Sequence, residues 1–542
     1  MKKLLSLAAA LVCTISAFAA NPYLPLWEYI PDGEPYVFED PDNPGQYRVY
    51  VYGSHDTLLS EYCGRDQVVW SAAVDDLNHW RYGGVIFTSR TDRDGKPLNP
   101  GGIGDVLYAP DVVEKTGPDG RKTYYLYPNN QAGGRNGMVA RSDRPDGPFT
   151  VCNWSKDNPA RTDGVLGFDP GVFIDDDGRV YGYWGFKESW GAELDPETMA
   201  TVKKGCTPQR VLPKPDAQDP IFRFFEASSI RKIGDKYVFV YSRVMPQGEK
   251  GLPSTNYDLA YAWSNSPLGP YTYGGTVIDC RGRDVDDNGN AIVTASPNGN
   301  THGGLAQIGG QWYIFFHRQA GLTAYARQAM VAPVNIEVTP GPDGKVVISE
   351  AEYTSEGFET DGLDPMSWHS AGIACYYTGP QPAVKNRGGN IFHGPYIEPR
   401  YTVWGTSEAS PYRGDEAAAV SDPYSPELNS NPVVGIVGGS VVGYKYFNFD
   451  LLRSARGRRL LLSLVPSGTS GKVTVMADHP AAARGGIRLG KARISGRKAG
   501  LPGDLSIRVR KARRLSGKHA LYFVFDSRDT TEICRMEGFI FK

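Results

Sequence analysis

Five short aromatic segments with alternating side chains recur along the first 335 residues, and they constrain the fold of this chain more than any other feature. They lie roughly 55 to 75 residues apart, and their alternation predicts β-strands. The segments are RVYVYG from Arg48, TYYLY from Thr123, VYGYW from Val180, KYVFVY from Lys236 and QWYIFF from Gln311. A repeat of this length holds about four short strands, which is one propeller blade. We therefore predict an all-β, five-bladed β-propeller over residues 21–335.

The remainder of the chain has a different character. Residues 336–365 carry a Pro- and Gly-rich stretch and are predicted to be a linker. Beyond it, strand patterns such as VVGYKYF from Val441 and ALYFVF from Ala520 alternate with basic, Gly-rich turns. This pattern predicts a second domain, a jelly-roll-like β-sandwich over residues 366–542.

The amino terminus reads as a secretory signal over residues 1–20. Two lysines precede an apolar run, and Ala17-Phe18-Ala19 supplies a small-x-small cleavage pattern. No later apolar stretch is long enough for a membrane span. We expect an exported protein, periplasmic or secreted in a bacterial host. The six cysteines that follow are scattered without a CxxC pair, which indicates free thiols or an occasional bridge.

Composition excludes one class of partner. The chain is 40% hydrophobic and 22% charged, with a net charge of −2. This is the composition of a globular protein, and its near balance of charge argues against a nucleic-acid partner.

Three acidic residues stand at equivalent places, shortly before or at the start of a strand in three of the predicted blades. They are Asp32, Asp169 and Glu226. Glu226 follows several bulky apolar residues, so burial should raise its pKa and keep it protonated near neutral pH. Each acid alone could equally be a turn, cap or strand-edge residue. Together they fit the paired carboxylates of glycosidic bond hydrolysis.

Several motifs in the first 335 residues, in this order and spacing, resemble those of glycoside hydrolase family 43. They are the Asp32 segment, YGSHD from Tyr52, YAPDV from Tyr108, FDPGVFIDDDG from Phe168, FEASS from Phe225, NTHGG from Asn300 and FHR from Phe316. Members are five-bladed propellers that remove arabinose, xylose or galactose from plant polysaccharides. The more weakly matched tail resembles the sandwich of carbohydrate-binding module family 6; it either binds sugar or only buttresses the propeller.

The resemblance implies roles for the three acids. Asp32 would be the general base, Glu226 the general acid, and Asp169 would orient the acid and hold its pKa up. The family's usual Asp-Pro is absent at the base, where the proline follows Glu34, so Glu34 is the alternative base. The mechanism would invert the anomeric configuration, with the two carboxyls roughly 6.5–9.5 Å apart.

Further site residues follow from the same resemblance and from residue type. His302 would help to hold a hydrated calcium or sodium ion in the channel, and no organic cofactor is expected. Arg318 and Arg327 would bind sugar hydroxyls, steer Asp169 or only form ion pairs at a blade edge. A tryptophan can serve as a platform for a sugar ring, although it more often packs within a blade. The remaining candidates for substrate binding are His55, Asp111, Trp70, Trp184 and, as a further platform, Trp190.

We therefore expect an inverting, exo-acting glycosidase that removes a terminal sugar, α-L-arabinofuranose first, from plant cell-wall polysaccharide. A β-xylosidase and an exo-β-galactosidase are the alternatives within the class. A non-catalytic sugar-binding propeller and a retaining fructoside hydrolase are further alternatives. The protein is expected to be a monomer or a weak oligomer.

Overall fold

A computed structural model gives the fold of most of the chain. It describes residues 20–57, 61–214, 221–252, 256–286, 288–296, 300–381, 384–385, 391–392, 394–400, 420–453 and 458–542. The predicted signal peptide, apart from Ala20, lies outside these residues. Within them, no helix is long and apolar enough to cross a membrane.

The first four blades are antiparallel sheets of four strands each. Blade 1 contains β1 (Glu34–Glu39), β2 (Tyr47–Tyr52), β3 (Asp66–Ala73) and β4 (Asp76–Thr88). Blade 2 contains β5 (Asp111–Thr116), β6 (Lys122–Tyr127), β7 (Ala140–Ser142) and β8 (Thr150–Val151). Blade 3 contains β9 (Gly171–Ile174), β10 (Val180–Trp184), β11 (Trp190–Leu194) and β12 (Gln209–Arg210). Blade 4 contains β13 (Phe224–Ile233), β14 (Lys236–Met245), β15 (Asn256–Ser264) and β16 (Thr272–Ile278).

The fifth blade has three strands and follows a hairpin. The hairpin is formed by β17 (Arg283–Val285) and β18 (Ala291–Val293), and the blade by β19 (Leu305–Ile308), β20 (Gln311–Ala320) and β21 (Ala326–Val334). At the edge of β21, the side chain of Asn21 donates to the carbonyl of Val331 (2.7 Å) and accepts from its amide (3.0 Å). The five aromatic segments of the sequence are the second strands of the five blades, so the propeller prediction is confirmed.

The predicted linker contains regular structure. A hairpin of β22 (Ile336–Val338) and β23 (Val346–Ile348) occupies its first half. In β23, Val346 and Ile348 are buried while Val347 is exposed, so the alternating pattern packs one face of the hairpin onto the core.

The second domain is a two-sheet β-sandwich. Its strands are β24 (His369–Ser370), β25 (Tyr376–Thr378), β26 (Val384–Lys385), β27 (Ile391–Phe392), β28 (Tyr396–Ile397), β29 (Val433–Ile436), β30 (Val441–Asn448), β31 (Arg459–Pro466), β32 (Gly471–Ala477), β33 (Ile487–Ile494), β34 (Gly503–Arg508), β35 (Lys518–Asp526) and β36 (Cys534–Phe541). One sheet has the order β28-β29-β36-β31-β34, with β24 added to β36, and the other has the order β25-β30-β35-β32-β33. Short 3₁₀ turns lie at Pro100–Gly102, Glu249–Gly251, Ala371–Ile373, Phe449–Arg453, Ala482–Arg484, Gly496–Lys498 and Ala512–Arg514.

One of the hydrophobic clusters spans the two domains. A single cluster of buried residues runs from Leu26 and Phe316 in the propeller to Tyr444 and Phe539 in the sandwich. A hydrogen bond also crosses the domain boundary. The Asn431 side chain donates to the Leu26 carbonyl at 2.9 Å. The sandwich therefore supports the propeller directly.

Candidate active site

Each blade brings one candidate residue to the central channel at the start of its first strand. Asp32 precedes β1, Asp111 begins β5, Asp169 precedes β9, Glu226 lies at the start of β13 and His302 precedes β19. Equivalent positions in a propeller converge on one end of the channel. The sequence order therefore gathers these residues in space, although they span most of the propeller.

Asp32 is held as a carboxylate. Both of its oxygens accept hydrogen bonds from the Arg327 guanidinium at 3.0 Å, and Ser54 Oγ donates to Oδ2 at 2.6 Å. Burial opposes its ionisation, but the charge of Arg327 and the other partners outweigh burial and hold the pKa of Asp32 at about 2. Arg327 is fixed in turn by Asp56 (2.9 Å), so the guanidinium joins two carboxylates.

A neutral histidine fixes the backbone beside the base. The amide of Asp32 donates to Nδ1 of His317 at 3.2 Å, while Nε2 lies 2.9 Å from the carbonyl of Asn300. Nδ1 must therefore be the acceptor and Nε2 must carry the proton. Burial lowers the pKa of His317 to about 3, which keeps the ring in this neutral form.

Asp169 is buried between two donors. Its Oδ1 accepts from the Asn129 amide at 2.9 Å and its Oδ2 from the backbone N–H of Ala227 at 3.0 Å. The second bond ties Asp169 to the residue that follows Glu226. Burial, together with the charges of Glu226 and Asp32, raises the pKa of Asp169 well above its ordinary value.

Glu226 is the half-buried acid of the group. The pairing of β13 with β14 is irregular between Phe224 and Glu226 and again between Glu226 and Ser229. Such a bulge changes the direction in which a side chain points, here that of Glu226 at the channel end of β13. Burial first, and then the charge of Asp32, raise the pKa of Glu226 to about 8. The further contribution expected from Asp169 stays a prediction.

Asp32 and Glu226 therefore have opposite protonation states near neutral pH. One is a carboxylate that can accept a proton from water, and the other is a carboxylic acid that can donate one. Two carboxyl groups whose environments separate their pKa values are an acid–base pair.

The alternative base, Glu34, lies in a different network. It is buried, its Oε2 accepts from Arg231 (2.9 Å) and Ser229 (3.1 Å), and burial raises its pKa to about 7. Gly304 packs against this carboxylate, since a Cβ there would lie 2.5 Å from Oε2. These contacts favour a structural role for Glu34 at the junction of blades 1, 4 and 5.

His302 is buried beside the acids. Its Nδ1 lies 3.5 Å from Oδ2 of Asp169, and its Nε2 lies 3.9 Å from Oε1 of Glu34. Within the part of the chain that the structure describes, neither Nε2 nor that glutamate oxygen has a hydrogen-bond partner. Among the described residues no group of three or more His, Cys, Asp or Glu side chains could hold a metal ion directly. One imidazole nitrogen and nearby carboxylate oxygens fit an ion that keeps most of its water ligands.

The remaining sequence candidates occupy other positions. His55 is fully buried between Glu28 (3.1 Å) and Asp66 (3.0 Å), and although burial opposes its charge these carboxylates raise its pKa to about 10. Asp111 is buried and accepts from Tyr36 (2.6 Å) and from backbone amides. Both side chains are buried and held by these partners, which favours a structural role in the channel wall; their role in sugar binding stays a prediction.

Two further expectations need correction. Arg318 is 1% exposed and donates to the carbonyls of Gly372 and Ala374 in the sandwich, so it joins the domains. Trp70 is also 1% exposed and donates to Glu28 at 3.0 Å inside blade 1. Neither can contact substrate.

The structure places the remaining three candidates as follows, and their contact with sugar stays a prediction. Arg327 was expected to bind sugar hydroxyls or to steer Asp169. It lies in the channel, but its guanidinium binds Asp32. Trp184 is half-buried against Gly167 near Asp169. Trp190 is half-buried and lies under the Arg210 guanidinium, 5.1 Å from the ring centroid.

Sequence reasoning missed residues that position the acids. They are Ser54, Asp56, Asn129 and His317. Ser54 and Asp56 lie within the YGSHD segment and His317 within FHR, so the motifs were recognised without their individual roles. Asn129 lies in no recognised motif, and its left-handed backbone (φ 50°) is not visible from sequence.

A five-bladed propeller whose channel holds a carboxylate base and a protonated carboxylic acid has the architecture of a glycosidase. The family model for glycosyl hydrolases family 43 matches residues 40–339. The chain belongs to this family and is a glycosidase.

The chain is similar to two curated relatives and to one solved structure. A "Xylosidase/arabinosidase" of Thermoclostridium stercorarium is 37% identical over 383 residues, which cover 66% of this chain and 71% of the relative. An "Arabinoxylan arabinofuranohydrolase" of Paenibacillus polymyxa is 25% identical over 77% of this chain and 65% of its own length. The crystal structure of a family 43 arabinoxylan arabinofuranohydrolase from Bacillus subtilis, in complex with cellotetraose, aligns over 98% of this chain and all of that chain, with a TM-score of 0.46 and 20% identity.

Proposed function

We propose that the protein is an exo-acting, inverting glycosidase that releases terminal α-L-arabinofuranose from side chains of plant polysaccharide. The observation that carries the mechanism is the pair of opposite protonation states, with a pKa of about 2 at Asp32 and about 8 at Glu226. A β-xylosidase is the second candidate, because the names of the relatives include xylose as well as arabinose.

In the proposed reaction, Asp32 removes a proton from a water molecule as that water attacks the anomeric carbon. Glu226 gives its proton to the glycosidic oxygen as the bond from that oxygen to the anomeric carbon breaks. The water enters opposite to the leaving group, so the configuration inverts. The products are the free sugar and the alcohol, with Asp32 protonated and Glu226 ionised until solvent exchange restores both.

The fixed partners explain why each group keeps its role. Arg327 and Ser54 favour the ionised form of Asp32, so the carboxylate can accept a proton from water at neutral pH. Asp169 is bonded to the backbone next to Glu226, so it positions the acid. We further propose that His302 helps to hold a hydrated calcium or sodium ion, which would offset the negative charge of the surrounding carboxylates.

We also propose that the protein is exported, on the basis of the basic and apolar sequence at residues 2–18 and the small residues that follow. Amino-terminal sequencing of the protein recovered from periplasm or medium tests this. A mature chain that begins after residues 17–20 is expected, and retention of Met1 on a cytoplasmic protein would contradict it.

The first test of the activity is hydrolysis of p-nitrophenyl α-L-arabinofuranoside, β-D-xyloside and β-D-galactoside side by side. Release from the arabinofuranoside above the other two is expected. Preference for the xyloside would select the second candidate, and proton NMR of the first-formed sugar anomer would report inversion or retention.

The roles of the acids are tested by variants. Glu226→Ala should abolish turnover of unactivated glycosides, while substrates with activated leaving groups should lose far less, because they do not need the proton. Asp32→Asn should lose activity on both kinds of substrate. Glu34→Gln is the matched control, and a dead Glu34→Gln with an active Asp32→Asn would reassign the base.

A further inference from the structure

An arc of aromatic rings flanks the acids on the side of blades 2 to 4. Neighbouring ring centroids lie 6.0 Å apart for Tyr108 and Phe168, 5.4 Å for Phe168 and Phe186, 5.0 Å for Phe186 and Phe225, and 4.5 Å for Phe225 and Tyr257. Phe168 and Phe225 are the residues immediately before Asp169 and Glu226. The arc is therefore attached to the catalytic segments themselves.

Phe186 stands at the centre of this arc and is 49% exposed. The other four rings are half-buried. Exposure of a large apolar ring costs solvation free energy, and an exposed apolar surface next to a reacting group is typical of a binding surface.

The turn that carries Phe186 is built to hold it there. The amide of Gly185 donates to the carbonyl of Phe168 at 2.7 Å, and the amide of Lys187 donates to the carbonyl of Phe225 at 2.6 Å. The turn between β10 and β11 is thus pinned to both acid-bearing segments. A Cβ at Gly185 would lie 1.9 Å from the Glu188 carbonyl oxygen, and Lys187 has a left-handed backbone with φ of 64°. These are conformations that a chain adopts only when the surroundings impose them.

The position of the general acid determines what can lie on this surface. Glu226 must contact the glycosidic oxygen, and the departing part of the substrate is bonded to that same oxygen. Burial and the charge of Glu226 raise the pKa of Tyr257, so the Tyr257 end of the arc lies beside the acid. Tyr257 stacks on Phe225, and Phe225 in turn contacts Phe186. The departing part of the substrate must therefore lie next to these rings. A sugar ring presents C–H groups on its faces, which pack on aromatic rings as other apolar groups do.

We propose that the aromatic arc centred on Phe186 binds the main-chain sugars of a polysaccharide that carries the scissile side-chain sugar. The arc contains five rings, and neighbouring ring centroids lie 4.5–6.0 Å apart. The whole arc is therefore longer than one sugar ring. This favours a polymer over a disaccharide as the substrate. The inference rests on the proposed function, because it takes Glu226 as the group that protonates the leaving oxygen.

The test compares two substrates that carry the same terminal sugar on different departing groups. For Phe186→Ala, kcat/KM on soluble arabinoxylan should fall about tenfold, which is the effect of about 1.4 kcal/mol of lost transition-state binding. On methyl α-L-arabinofuranoside, whose departing group has no ring, the loss should be at least fivefold smaller. Phe186→Trp should keep the polymer preference. Tyr47→Ala is the matched control, since Tyr47 is also 49% exposed but begins β2, at the end of blade 1 opposite the acids.

A binding measurement separates this proposal from the proposed function. In a Glu226→Ala background, migration through gels that contain arabinoxylan, unsubstituted xylan, arabinan or galactan reports polymer binding without turnover. Retardation by at least one polymer, lost on Phe186→Ala and kept on Tyr47→Ala, supports the arc even where the wild-type protein cleaves no arabinofuranoside. Equal losses of kcat/KM on both substrates, or retardation that does not depend on Phe186, would overturn it.

Discussion

Removal of the Arg327 charge gives a sharp test of how the base is kept ionised. Arg327 bonds both oxygens of Asp32, and the pKa of Asp32 is about 2 where its ordinary value is 3.8. That difference corresponds to about 2.5 kcal/mol in favour of the carboxylate at neutral pH. Because this pKa is lowered, the stabilisation is present above the ordinary value and is lost as pH falls through 2.

In Arg327→Met the burial of Asp32 is no longer offset by a cation. Its pKa should rise above the ordinary value, to about 5, since a buried carboxyl with no cation resists ionisation. A base with that pKa is about 10% ionised at pH 4, so kcat/KM there should be about tenfold below its value at pH 7. The wild-type profile should be nearly flat over the same range.

The assay is kcat/KM between pH 3.5 and 7 on the best p-nitrophenyl glycoside, with circular dichroism at each pH to show that the protein is folded. Loss of the cation also leaves Asp56 without its guanidinium bonds and should cost about 3–5 kcal/mol of stability. Asp56→Asn combined with Arg327→Met removes that second charge and keeps the test available. Asp56→Asn alone is the control and should stay flat. A flat profile for folded Arg327→Met would refute the account.

Three further predictions follow from other buried contacts. For the wild-type enzyme, kcat/KM should fall above pH 8 by tenfold per pH unit, because Glu226 must be protonated and its pKa is about 8; a profile that is flat to pH 10 would contradict this. Arg318→Ala should separate the cooperative urea unfolding of the two domains into two transitions and cost about 3 kcal/mol, since it removes buried bonds to Gly372 and Ala374; one unchanged transition would contradict an inter-domain role. Trp70→Phe should lower the free energy of unfolding by about 1–3 kcal/mol, because it leaves a buried Glu28 oxygen without its donor; by contrast, loss of activity with unchanged stability would favour a role in sugar binding.

The blade pattern was readable from sequence because each second strand is buried and aromatic. In β14, for example, Val238 to Ser242 are all buried, and four of these five residues are apolar. Such buried apolar runs are needed to pack the blade, and they do not depend on the ligand that the loops bind. The acids were found because each lies at or shortly before the first strand of its blade, and equivalent positions of the blades face one central channel.

Adjacent polar residues on a strand could not be assigned in the same way. His317 and Arg318 are neighbours on β20, and successive side chains of a strand point to opposite faces. His317 faces Asp32 in the channel, while Arg318 faces the sandwich. Because both residues are polar, hydrophobic alternation does not show which of them faces the channel and which faces the sandwich. The wrong member of the pair was therefore assigned to the site.

The backbone of the acids could not be predicted either, and it shows how the site is held rigid. Asp32 (φ 60°), Asp169 (φ 49°) and Ala227 (φ 71°) all have left-handed conformations, each of which costs a non-glycine residue about 1–2 kcal/mol. The hydrogen bond from the Ala227 amide to Asp169 connects two of these residues, and the amide of Asp32 is held by His317. The bonds that orient the carboxyls are thus among those that hold the strained backbone. A change in one acid should therefore disturb its neighbour, and this is the physical reason to test the acids with isosteric amides before deletions.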